Sequence, residues 1–159
     1  RRVPFSGAVL RLAGDQTGIP NDIYTRIKWD TRVLESPSTN AWIVEDGTNG
    51  WHFKVPAGVK RVQTGGGVAT SLVVGGVQTY LELLGYKNGV SFGGTLFGTT
   101  GKYSRELGGL VSPPFDVATD DTLWVVVAAN PGTTWIVDGG AGTYPAFVTR
   151  FWVQAVDFS

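Results

Sequence analysis

The sequence predicts an all-β domain, an antiparallel sandwich or barrel, and three observations carry that prediction. First, Ile23, Thr25, Ile27 and Trp29 alternate with Tyr24, Arg26, Lys28 and Asp30, the period-2 pattern of a strand with one dry face. Second, 23 of 159 residues are glycine and 8 are proline, which punctuates the chain with turn residues at short intervals. Third, no apolar period of about 3.6 residues persists for three turns, so helix should be minor.

The elements follow in order. Residues 1–5 read as a linker arriving from an upstream region, and residues 6–159 as one β-sandwich domain. Ser6 to Ala13 is a plausible first strand, closed by Gly14-Asp15, and Gln16 to Asp22 reads as a loop. Ile23 to Leu34 reads as one amphipathic strand, Glu35 to Gly50 as a polar excursion with an apolar island at Ala41–Glu45. Trp51 to Val55 alternates aromatic and polar residues before Pro56-Ala57-Gly58 stops it. Val59–Thr64 and Val68–Val74 are expected as separate strands, with Gly65-Gly66-Gly67 between them. Gln78 to Tyr86 should run into a type I′ hairpin at Asn88-Gly89, because that dipeptide accepts two positive φ angles. Ser91 to Gly109 reads as a weak strand and a mobile loop. Pro113-Pro114 marks an edge or corner. Thr122–Ala129, Thr133–Val137 and Ala146–Phe158 complete the strands.

Charge and composition narrow the function. Thirteen basic and thirteen acidic residues cancel, and a neutral chain has no electrostatic claim on nucleic acid or an anionic membrane, whose binding leans on clustered Lys and Arg. Cysteine is absent, so disulfides and thiolate metal sites are excluded. Methionine is absent too, and the chain begins Arg1-Arg2-Val3-Pro4, which suggests a piece of something longer. No apolar run approaches the roughly 20 residues that span a bilayer as a helix.

Two strands are apolar on both faces. In Thr122–Ala129, Leu123, Val125 and Val127 back onto Trp124, Val126 and Ala128; in the last strand, Phe147, Phe151, Val153 and Ala155 back onto Val148, Trp152, Val156 and Phe158. A sandwich strand normally keeps one wet face, so a second cover is needed: another subunit is expected, since cyclic homo-oligomers are common, the alternative being central strands with long loops of the same chain folded over the outer face. Trp124, Val126, Val148, Trp152, Val156 and Phe158 are the expected interface residues.

Several segments, in order, resemble a C1q/TNF-like jelly roll. Ile27-Lys28-Trp29-Asp30-Thr31 stands where such domains have an apolar-x-aromatic-Asp-Thr segment, and Phe53-Lys54-Val55-Pro56-Ala57-Gly58 is similar to their F-x-V-P-x-x-G strand end. Leu83 to Gly89 resembles the later strand that closes on Lys-Asn-Gly, and Ala118 to Trp124 the turn into an apolar strand. The resemblance implies a homotrimer whose last strand lies near the threefold axis. It further implies a setting on the virion surface, at the tip of a phage or viral fibre attached through its N-terminal side; the alternatives are a structural virion component, a head-fibre or decoration domain that mediates trimerisation, and a secreted C1q/TNF-like binding domain. The expected partner is a host-surface saccharide or protein receptor; no cofactor and no membrane insertion are expected.

Enzymatic chemistry has little to work with. His52 is the only histidine, too few for a cupin-type metal site, and there is no Gly-x-Ser-x-Gly elbow. Gly98-Thr99-Thr100-Gly101-Lys102 is followed by Tyr103 where a phosphate loop needs Ser or Thr. Asp116, Asp120 and Asp121 read as turn caps rather than calcium ligands. Candidate ligand contacts are instead aromatics in or beside polar loops: Trp42, Tyr103, Trp135 and Tyr144, the residue types that build adaptable binding loops. Each could equally fold inward and plug the sandwich, and at Trp135 the inward reading is favoured, because Ile136 and Val137 make it look like a strand residue.

Overall fold

The computed structural model describes residues 5–72, 80–98, 105–130, 132–139 and 149–158. These form fourteen strands: β1 (Gly7–Arg11), β2 (Gln16–Ile19), β3 (Thr25–Arg26), β4 (Thr31–Ser36), β5 (Ile43–Val44), β6 (His52–Lys54), β7 (Val59–Leu72), β8 (Tyr80–Lys87), β9 (Val90–Gly98), β10 (Arg105–Val111), β11 (Phe115–Asp116), β12 (Thr122–Ala129), β13 (Trp135–Asp138) and β14 (Arg150–Phe158). All pairings among them are antiparallel. They build two sheets. The larger runs β2-β13-β7-β14-β1-β4, with β10 and β11 also on β7; the smaller runs β5-β6-β12-β8-β9, with β3 also on β12.

The core lies between the sheets. Leu10, Val62, Phe151 and Val153 from the larger sheet meet Phe53, Leu83, Val125 and Val127 from the smaller. Phe151 stacks on Trp29 at 6.2 Å and tilts against Phe53 at 4.7 Å, so the last strand carries the aromatic centre.

The expected single strand Ile23–Leu34 is instead a pair of strands in different sheets. Thr25 and Arg26 pair with β12 of the smaller sheet, whereas Thr31–Ser36 pairs with β1 of the larger. Ile27 and Trp29, in the crossing between them, are fully buried. Trp51 N–H bonds the Trp29 carbonyl at 2.8 Å, and Gly50 (φ +84°) permits the approach, since a Cβ there would stand 2.3 Å from Lys28 Cα. Alternation alone does not distinguish a strand from a segment that hands over between sheets and keeps the same dry side.

The triple glycine does not divide its strand either. β7 runs unbroken through it, because a Cβ at Gly66 would lie 2.1 Å from the Arg150 carbonyl oxygen of neighbouring β14. Glycine here serves close packing of backbone on backbone. The Ser91–Gly109 interval likewise holds most of β9 and β10, although 99–104 lies outside the described residues. Gln16–Ile19, read as a loop, is β2. The hairpin at Asn88-Gly89 is as expected: φ is 50° and 84°, and Lys87 pairs with Val90. Asp121 caps its turn, accepting from Ala118 N–H at 2.8 Å and from the Asn88 amide at 2.6 Å. Asp116 and Asp120 pair instead with Arg61 and Lys54.

Candidate recognition surfaces

Of the four loop aromatics, Trp42 and Trp135 are fully buried. Trp42 donates from Nε1 to the Ser6 hydroxyl at 3.2 Å, and Trp135 from Nε1 to the Pro20 carbonyl at 3.1 Å. Both rings plug the sandwich and have no face to give a ligand, which corrects that expectation at these two positions. The cause at Trp42 is Glu35. Its carboxylate, with the side chain only 1% exposed, accepts from Trp42 N–H at 2.7 Å, Ile43 N–H at 2.8 Å and Asn40 N–H at 2.9 Å, and meets Arg32 Nε at 2.8 Å. One buried carboxylate thus folds the excursion back onto the core. Tyr103 and Tyr144 lie outside the described residues.

The interface candidates divide between the two outer faces. Trp124 and Val126 face outward from the smaller sheet and are covered by their own chain. Arg26 lies 4.7 Å above the Trp124 ring, Tyr86 stacks on it at 6.1 Å, and Val126 is 7% exposed. β3 and Tyr86 therefore give β12 a second cover from within the chain. Trp152 lies on the opposite outer face, that of the larger sheet.

The outer face of the larger sheet is different. Leu34, Val9, Trp152, Gly65 and Val111 stand in one cross-strand row over β4, β1, β14, β7 and β10. Leu34 is 48% and Val111 66% exposed; Gly65 adds no side chain. A bulge at Val33 sets Val33 beside this row. Phe5, Val9 and Trp152 line a depression of about 210 Å³, and Val156 is exposed farther along β14. Of eight large exposed apolar residues among the described ones, five (Phe5, Val33, Leu34, Val111 and Val156) belong to this sheet or its entry. Val148 lies outside the described residues, and the Phe158 side chain is likewise not described.

A second exposed group was not foreseen. Tyr24 donates to Glu82 at 2.6 Å, and Tyr80 donates to Asp22. Both phenols are held above their ordinary pKa, foremost by these bonds, Tyr80 at about 12. The sequence does carry a trace of the pattern in Tyr80-x-Glu82, since residues two apart on β8 share a strand face.

His52 is half-buried, and its pKa lies below 6.5 because of burial and then the Arg26 charge; Asp46 is held at about 2 by donors from Asn49 and Thr48. The depressed histidine means that the unfolded chain takes the proton first as pH falls below 6.5, so stability should decline with acidification. Asp46 contributes in the same direction, its stabilisation present above pH 3.8 and lost towards 2. Urea midpoints from pH 7.5 to 5 should fall in the parent and flatten in His52→Asn; identical slopes would sink this assignment.

Two sheets wound in this way, with the termini side by side in β1 and β14, define a TNF-like jelly roll. Among solved structures it is similar to Eiger TNF from S. frugiperda (TM-score 0.65, 8% identity, covering 99% of this chain and 96% of that one). It is similar also to murine APRIL at pH 5.0 (TM-score 0.64, 11% identity, 96% and 100% covered). At such identities the likeness is one of fold. No family model and no curated protein matches the chain.

Proposed function

We propose that the chain is a non-catalytic, homotrimeric recognition domain. Its larger sheet packs around the threefold axis, and its remaining surface meets a receptor. The observation that carries this reading is the apolar row Leu34-Val9-Trp152-Val111 on a sheet face that no element of the described chain covers. Contiguous exposed apolar surface of this kind marks an interaction site, and the TNF-like fold supports a cyclic assembly. The setting we favour is the tip of a virion fibre, with a host-surface saccharide as ligand and Tyr103 and Tyr144 as its candidate contacts. Light scattering should return three times the 17.0 kDa chain mass; a monomer at micromolar concentration would overturn the assembly. An array of host-envelope saccharides should show binding by the trimer, and a folded trimer that binds none would point to a purely structural role.

A further inference from the structure

The paired tyrosines and carboxylates on the smaller sheet form a surface with one-sided chemistry. β3 and β8 flank β12, where Val127 pairs with Thr25 and Ala128 with Glu82. Ala128, buried and bearing only a methyl group, leaves room for Tyr24 to reach Glu82 across the strand. Beside it Tyr80 reaches back to Asp22, whose backbone is in the left-handed region (φ 61°) and is held by its N–H on the Ala129 carbonyl at 2.7 Å. The two bonds are reciprocal: each segment supplies one phenol and one carboxylate.

The consequence is a patch whose phenol donors are already spent. Both O–H groups point into carboxylates, so what the four side chains still offer is carboxylate lone pairs and aromatic faces. Neither carboxylate enters an ion pair among the described residues. Tyr24 remains 53% exposed, and Ile23 beside it 55%. A sugar hydroxyl both donates and accepts, and it carries no charge to answer two carboxylates. A guanidinium or ammonium group only donates, is positive, and is attracted to aromatic faces.

We propose that Asp22, Tyr24, Tyr80 and Glu82 form a docking site for an arginine or lysine side chain of a protein partner, with Ile23 against its aliphatic stem. The site lies on the sheet opposite the proposed trimer face, so assembly leaves it open. It is separate from the saccharide reading and stands or falls without it.

The test uses the intact chain and an acetylated tetra-arginine amide as probe. Titration calorimetry should show binding that weakens about tenfold in Asp22→Asn/Glu82→Gln, the scale of losing charge-assisted hydrogen bonds. Both replacements keep an acceptor for the tyrosines, and asparagine tolerates the left-handed backbone. Tyr24→Leu should weaken binding several-fold by removing a ring. The charge-matched control Asp116→Asn/Asp157→Asn should leave it unchanged. Equal loss in the control, or no binding by the parent at millimolar probe, overturns the proposal. Should a variant fail to fold, NMR of the parent decides: probe-induced shifts at Tyr24 and Tyr80 support the site, and shifts confined to other acids refute it. Displacement of those tyrosine shifts by a neutral oligosaccharide but not by the arginine probe would also refute it.

Discussion

Glu35→Ala should lower unfolding stability by about 3–5 kcal/mol, the usual cost of removing one partner from a buried charged network. Three backbone N–H groups, at Asn40, Trp42 and Ile43, lose their acceptor, and Arg32 loses its innermost partner. Arg32 retains Asn40 Oδ1 at 2.7 Å and Glu45 at 3.0 Å, which limits the loss on that side. The greater damage is to Trp42, whose depth depends on the chain being drawn inward at its own N–H. Glu35→Gln should fall between, because its carbonyl can still accept while its amide meets Arg32 donor to donor. Urea unfolding at fixed protein concentration, followed by tryptophan fluorescence, measures both. A loss under about 1 kcal/mol for alanine would show that the network is not what holds the excursion.

Trp152→Glu should convert the proposed trimer to monomer. Tryptophan at the centre of an interface costs about 2 kcal/mol or more on truncation, and glutamate adds the penalty of burying an unpaired charge. A closed trimer repeats that cost at three contacts, so little assembly should survive at micromolar concentration. The fold itself should persist, since Trp152 faces out while Phe151 and Val153 hold the core. Val90→Glu, 70% exposed on the smaller sheet, is the matched control and should keep the parent mass. A Trp152→Glu protein that still scatters as a trimer would move the threefold axis elsewhere.

Much of the fold was legible because its signals are local. Asn88-Gly89 states its own φ angles, and Thr122–Ala129 is too apolar and too short for anything but a central strand. What misled were signals with two physical meanings. Glycines 65–67 suggest a break, yet here they admit the backbone of a strand from the far end of the chain. The Ile23–Leu34 alternation is real, but its dry side is shared between two sheets. At the candidate sites, burial decided the outcome: Trp42 lies in a polar stretch, and the carboxylate of Glu35, seven residues away, draws it into the core. The dryness of Thr122–Ala129 was visible, but its cover was not. Arg26 reads as a wet-face residue, though its guanidinium shields Trp124. Tyr24 and Tyr80 were overlooked because they read as ordinary strand positions; their pairing exists only in three dimensions.

The position of β7 has a consequence for the chain during synthesis. Among the described residues, every strand that hydrogen-bonds to it (β10, β11, β13 and β14) comes later in the sequence. When β7 leaves the ribosome, both of its edges therefore still lack these partners, and the last of them arrives only when Arg150–Phe158 has emerged. β1 waits for the same strand. Pairing this distant is slow and exposes strand edges to other chains. The nascent domain thus cannot close from its beginning; its completion is timed by its final strand, and the interval before that is when neighbouring nascent chains can exchange or aggregate.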